Sequence, residues 1–187
     1  REIFGVTGGT GCGKTTFLKV LEEQGFLTID CDALYHDLLR ENAAMLAAIG
    51  AAFPGTVVNG ALQRKALGQI VFADPAALEA LSAITDPFVD AAVEALLAAH
   101  PEQNAAIDAI RLLESGIARR CSRTFAVTAP METRVRRLMA REGISEDYAR
   151  LRIAAQPRDE LFQAQCDTVL VNDFPTKEEF AAYCRTV

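Results

Sequence analysis

The sequence has no CxxC pair, and its cysteines are odd in number: Cys12, Cys31, Cys121, Cys166 and Cys184 stand apart. This argues against a structural zinc site and a disulfide framework alike, and predicts reduced thiols. Long apolar runs are missing too. The longest uncharged stretch, 42–63, is interrupted by Gly50, Pro54, Gly55, Asn59 and Gly60, so no membrane-spanning helix is expected. The first residues carry no charged-then-apolar leader, and a cytoplasmic protein is the expectation. Nor is positive charge in excess: the net charge is −6, so nothing draws the chain generally to nucleic acid, and an anionic ligand must be met by a local basic cluster. Low complexity and disorder are excluded by a composition that is half hydrophobic, with seven prolines placed singly. With 187 residues, one α/β body with a subdomain or two is expected, as a monomer or weak homo-oligomer.

One local basic cluster is present. Between Arg134 and Arg158 lie seven arginines (134, 136, 137, 141, 150, 152 and 158) against three acids, Glu142, Glu146 and Asp147. The segment reads as two helices joined at Glu142-Gly143, with Ser145 and Asp147 or Tyr148 around the second cap. Arginine's planar, permanently charged fork suits phosphate oxygens, so a helical pair bearing several of them reads as a lid, at about 131–163, of which one or two arginines need touch phosphate.

Around it the chain reads as α/β. Ile3 to Thr7 predicts a short buried strand, Lys14 to Gln24 a helix, Phe26 to Asp30 a second strand, and a further helix starts near Ala33. Strand, helix, strand in so short a space is a βαβ unit and implies a parallel sheet. Strands are expected again at Ala105 to Asp108, Thr124 to Thr128 and Thr168 to Val171, giving a parallel sheet of about five strands flanked by helices. From Asn42 to about His100 the spacing is helical, with only a weak strand signal at Val57-Val58 and with Asp74-Pro75 as an N-cap and first helical residue. The expected division is a core of 1–40 and 101–187 and a helical insertion of 41–100.

TGGTGCGKTT, 7–16, carries a full Walker A pattern from Gly8 to Thr15, placed after a strand and at the start of a helix. Gly9, Thr10, Gly11, Cys12 and Gly13 would wrap backbone N–H groups around phosphate at a helix N-terminus, with Lys14, Thr15 and Thr16 opening that helix. Lys14 would bridge the β- and γ-phosphates and Thr15 would ligate Mg2+. ATP is favoured over GTP because neither a DxxG nor an NKxD segment occurs. Cys12, near Lys14 at a helix N-terminus, predicts a thiol of lowered pKa, labelled by thiol reagents and protected by Mg-ATP.

The second strand ends in Asp30-Cys31-Asp32. Carboxylates two apart on an extended segment point to one side, at the sheet end where the phosphate loop opens. A carboxylate there suits an alcohol acceptor, whose proton it can take, and would repel an acceptor that is itself a phosphate. One of the pair capping the next helix is the alternative. Asp108, ending AAID, is a candidate for the Mg2+ water shell or for the acceptor site.

Together TGGTGCGKTT, IDCDAL, ALQRKAL, VFADP, RLMAREGISEDYARLRIAAQ and the closing VND resemble the dephospho-coenzyme A kinase family along essentially the whole chain. The resemblance implies ATP-dependent phosphorylation of the ribose 3'-hydroxyl of dephospho-CoA, on a P-loop core with a helical acceptor subdomain and a lid. It implies that Asp32 rather than Asp30 is the catalytic aspartate, that Lys14 and Thr15 serve phosphate and Mg2+, and that Arg141 and Arg152 are the lid arginines, Arg141 with a catalytic part. Arg64 of ALQRKAL and Asp108 fall to the acceptor side. Two departures stand out: Thr85-Asp86-Pro87 replaces the family's usual leucine-histidine-proline, and 108–114 (DAIRLLE) lacks the family's usual proline. Another small hydroxyl or nucleotide acceptor on the same scaffold, and a non-catalytic ATP-binding regulatory module, are the alternative readings.

Overall fold

The computed structural model describes residues 1–154, 156 and 159–187. Its elements run β1 (Ile3–Thr7), α1 (Lys14–Glu23), β2 (Leu27–Asp30), α2 (Cys31–Glu41), α3 (Ala43–Ala52), β3 (Val57–Val58), β4 (Ala61–Leu62), α4 (Arg64–Val71), α5 (Pro75–Ala99), β5 (Ala105–Asp108), β6 (Arg123–Thr128), α6 (Met131–Glu142), α7 (Glu146–Ala154), α8 (Asp159–Gln165), β7 (Thr168–Val171) and α9 (Lys177–Cys184), with a 3-10 turn at Ile117–Arg120. Residue contacts divide it into two units, 1–29 with 102–187, and 30–101.

The first unit is built on a five-stranded sheet in the order β2-β5-β1-β6-β7, whose β1–β5, β1–β6 and β6–β7 pairs are parallel. Helices cover both faces of such a sheet, so its strands are apolar throughout rather than alternating. In β6 every residue after Arg123 is buried. Phe17 of α1 packs on Phe125 of β6, ring centroids 5.2 Å apart, amid Val6, Val20, Leu170 and Phe180. Truncating a buried phenylalanine of this kind to alanine costs about 3–5 kcal/mol.

In the second unit, α2, α3 and α4 pack on the 25-residue α5 around Met45, Ile49, Leu67 and Leu81. Asp74 caps α5, its carboxylate accepting from Ala76 N at 2.9 Å, and Pro75 takes the first turn. The departure Thr85-Asp86-Pro87 lies within α5, where the Thr85 hydroxyl donates to Leu81 O at 3.1 Å. Two expectations change here. Val57-Val58 is a strand, paired antiparallel with Ala61-Leu62 across a turn in which Asn59 takes a positive φ of 51°. And α2, expected with the sheet to residue 40, packs on α5, α3 and β4, so the boundary falls after Ile29. No helix among the described residues is long and apolar enough to cross a membrane.

Candidate active site

The phosphate loop leaves the C-terminal end of β1, the central strand, and enters α1 at Lys14. Gly13 is the N-cap of α1 at φ 97°, a left-handed conformation that L side chains rarely adopt, and a Cβ there would collide with the Asn172 amide. At Gly9 a Cβ would meet the Arg134 guanidinium. Glycine is required at both places by what surrounds the loop, not only by its curvature.

That surrounding is a set of side chains holding the loop by its carbonyls. Arg134 Nε donates to Thr10 O (2.9 Å), Arg137 Nη1 to Gly11 O (3.2 Å) and Asn172 Nδ2 to Cys12 O (2.8 Å). In a planar trans peptide the N–H that follows a carbonyl points the opposite way, so the Gly11 and Gly13 N–H groups point away from these clamps, while Cys12 N–H is taken up by Gly9 O at 3.4 Å. Gly8, Gly9, Thr10, Gly11, Gly13, Lys14, Thr15 and Thr16 all line a cleft of about 1070 Å3, which Arg137 and Asn172 also line. Asn172 is fixed in turn by its own N–H to Thr128 O (2.7 Å) and by accepting from Arg137 Nη2 (3.2 Å). The cleft volume is at the top of the range of small-molecule sites and leaves room for a nucleoside triphosphate.

Lys14 Nζ is bonded to Asp108 Oδ1 at 2.6 Å. Asp108 ends β5, in register with Val6 of β1, which brings its carboxylate beside the loop. Thr15 is exposed in the first turn of α1. Arg141 and Arg152 line the same cleft, and Arg141 Nη2 donates to Thr10 Oγ1 of the loop at 3.4 Å. Both guanidiniums bond the Glu142 carboxylate, which holds its carboxyl below the ordinary 4.5.

The other arginines of the cluster have different work. Arg150 bridges Glu132 and Glu146 at the surface (2.8 Å each) and ties α6 to α7. Arg134 is buried at 5% exposure, and Arg137 is half-buried with Phe174 O as a further partner. Arg136 is exposed, and Arg158 lies outside the described residues. The sequence predicts a solvated helix face for most of the seven and phosphate contact for one or two, without distinguishing the buried ones. Spacing i, i+3, i+7 sets Arg134, Arg137 and Arg141 on one face of α6 and is the signal that separates them. Asn172 and Gln156 stood inside quoted motifs without a role.

Two readings need correction. The Cys12 thiol is fully buried in the core around Phe17 and Phe180, and burial pushes its pKa up, outweighing the lowering by Arg134. The helix N-terminus does not make it a reactive thiolate; Cys12 contributes to the loop through its backbone. Asp30 and Asp32 are not two positions of one extended strand either. Asp30 is the N-cap of α2, its Oδ1 accepting from Ala33 N at 3.0 Å, so the helix starts at Cys31 and Asp32 sits exposed in its first turn. The capping alternative holds for Asp30, which leaves the Asp32 carboxylate uncommitted to a cap. Arg64, first residue of α4, is exposed in the helical unit; burial pushes the Tyr35 hydroxyl pKa up, and the Arg64 charge works against that rise.

The chain is similar to known proteins over nearly its whole length. A family model described as dephospho-CoA kinase matches residues 2–178. Among curated relatives, a dephospho-CoA kinase of Mesorhizobium japonicum is 39% identical over 171 residues, covering 90% of this chain and 86% of its own length. Among solved structures, a Thermus thermophilus protein superposes with a TM-score of 0.79 at 35% identity, covering 97% of this chain and 94% of that one. A dephospho-CoA kinase from Campylobacter jejuni does so at 0.68 and 26%, covering 98% and 94%.

Proposed function

The chain belongs to the dephospho-CoA kinase family, and from that premise we propose that it transfers the γ-phosphoryl group of ATP to the ribose 3'-hydroxyl of dephospho-CoA, giving coenzyme A and ADP. The observation that carries the donor half is the phosphate loop clamped by its carbonyls at the head of the central strand, with Lys14, Arg141 and Arg152 lining one cleft with it.

In this reading the β- and γ-phosphates replace Asp108 as the partner of Lys14, and the loop amides and the N-terminus of α1 take the remaining phosphate charge. Arg141 and Arg152 exchange part of their bond to Glu142 for phosphate oxygens, which spreads charge as the bond between the γ-phosphorus and the bridging oxygen breaks. The Asp32 carboxylate orients the 3'-hydroxyl and accepts its proton as the new O–P bond forms. Mg2+ fits the donors present: the Thr15 hydroxyl and the Asp108 carboxylate are hard oxygens, and among the described residues no three His, Cys, Asp or Glu side chains gather to hold an ion unaided. Bound, it would supply neutralisation of phosphate charge, taking the rest of its shell from water and phosphate. Arg64 of the helical unit serves the acceptor. A cytoplasmic location and a monomer or weak homo-oligomer go with this reading.

The test is ADP release from Mg-ATP against a panel of hydroxyl and nucleotide acceptors. Dephospho-CoA is expected to stimulate it, and Asp32→Asn to lower the stimulated turnover at least about a hundredfold while ATP still binds. Release stimulated by nucleoside monophosphates alone would overturn the acceptor, and near-normal turnover of the variant would remove Asp32 from the reaction.

A further inference from the structure

Gln156 lies just past the last residue of α7, and its backbone N–H donates to Ile153 O at 3.1 Å. Its side-chain oxygen accepts twice, from Thr10 N at 2.7 Å and from Arg134 Nη2 at 3.0 Å. Arg134 Nε donates to Thr10 O at 2.9 Å. The three residues close a ring that takes both polar groups of one peptide-loop residue, and it is packed against the loop so closely that a Cβ on Gly9 would sit 2.9 Å from Gln156 Oε1. The guanidinium in the ring is 5% exposed, with the Asp159 carboxylate 3.5 Å away on its far side.

Burying a charge to hold a loop is an expensive arrangement when water would satisfy half-buried peptide groups as well. Its effect reaches further than the loop. Arg152 is four residues before Gln156, and both line the cleft. Because the Gln156 main chain is bonded to the end of α7 and its side chain to Thr10, that end of the helix cannot leave the loop without breaking the ring. We propose that Gln156 is a positioning residue for the nucleotide: it pins the end of α7 to the phosphate loop, so that Arg152 and the loop amides meet the phosphates as one preformed set. The proposal rests on the cleft being the nucleotide site, not on which acceptor is used.

The experiment is calorimetric titration of Mg-ATP into the full chain and into Gln156→Ala, Gln156→Met, Arg152→Ala and the double variant Arg152→Ala/Gln156→Ala, with thermal midpoints and dephospho-CoA titrations alongside. Loss of Gln156 is expected to weaken ATP about tenfold, the scale of one hydrogen bond, in both the alanine and the methionine variant. Arg152→Ala is expected to weaken it by a similar factor. The double variant should bind no more than about threefold worse than the weaker single variant, because Arg152 is already out of place when Gln156 is gone. Dephospho-CoA affinity should stay within about twofold, as suits a loss confined to the donor site, and any fall in thermal midpoint should be alike in the alanine and methionine variants and smaller than that of Arg134→Met. Independent losses that multiply to about a hundredfold would overturn the coupling. So would wild-type ATP affinity in Gln156→Met, which keeps side-chain bulk and lacks the acceptor. These are binding readings, so they remain decisive even if dephospho-CoA proves not to be phosphorylated.

Discussion

Arg134 and Arg141 stand two turns apart on one face of α6, and their surroundings are opposite. Arg134 is 5% exposed, donates to Thr10 O and Gln156 Oε1, and has the Asp159 carboxylate 3.5 Å away as its ion-pair partner. The Arg141 side chain is 60% exposed and is held by a neighbouring carboxylate and a long bond to Thr10 Oγ1. The difference separates two uses of the same side chain beside a phosphate site. A buried guanidinium with fixed acceptors shapes the loop before any ligand arrives, whereas an exposed one whose partner is also exposed can change partners at little cost. Arg137 belongs with Arg134, and Arg152, tied to the same Glu142, belongs with Arg141.

Substitution by methionine should pull the two classes apart most strongly. Arg134→Met leaves the half-buried Asp159 carboxylate and the Thr10 carbonyl without their partner, and is expected to cost about 3 kcal/mol of folding stability. In a chain of this length that is a fall in melting temperature of roughly 6–12 °C, read by calorimetry or circular dichroism. Arg141→Met is expected to leave the melting temperature within about 2 °C and to lower kcat/KM for ATP by roughly ten- to a hundredfold. Equal melting temperatures for the two variants would erase the distinction.

Glu142→Gln sharpens it with a smaller effect. Removing the shared carboxylate frees Arg141 and Arg152 together, and ATP affinity should change by less than about fivefold, since the contact is exposed. The sign of its pH dependence also follows. Bonds to both arginines hold the Glu142 carboxyl below 4.5, so what this bridge contributes is present above that value and is lost as pH falls through the lowered one. Between pH 6 and about 8 the difference in melting temperature between Glu142→Gln and the parent should therefore be constant. The smallest effect is expected at Cys12. Its buried, neutral thiol should label slowly with iodoacetamide near neutral pH, and equally slowly with and without nucleotide. Rapid labelling suppressed by ATP would place the thiol in the cleft instead of the core.

Much of the scaffold was legible because its strands are short, apolar and bounded by turn residues: β1, β5 and β7 fall where the hydrophobic runs of IFGVT, AAID and TVLV end. The loop was legible from Gly8, Gly13, Lys14 and Thr15 at Walker A spacing between a strand and a helix. What escaped depends on which partner wins. Asp30 becomes a cap because Ala33 N is within reach, and that draws Cys31 and Asp32 into the helix. Val57-Val58 is too short to carry a period of two, and only its pairing with Ala61-Leu62 makes it a strand. Cys12 shares the helix N-terminus with Lys14, but its thiol turns into the core, where desolvation outweighs Arg134. The carbonyl clamps of Arg134, Arg137 and Asn172 join residues 124, 126 and 160 positions apart, and no local pattern encodes them. The roles of Asp32 and Arg64 rest on the family resemblance.

The most direct measurement is the mass of dephospho-CoA after incubation with the protein and Mg-ATP, followed by fragmentation to locate any change. The account predicts a product heavier by one phosphoryl group, carried on the ribose, formed by the parent chain and reduced at least about a hundredfold with Asp32→Asn. Unchanged dephospho-CoA in the presence of a chain that binds ATP tightly would contradict it, and would leave the cleft as a nucleotide site without this acceptor.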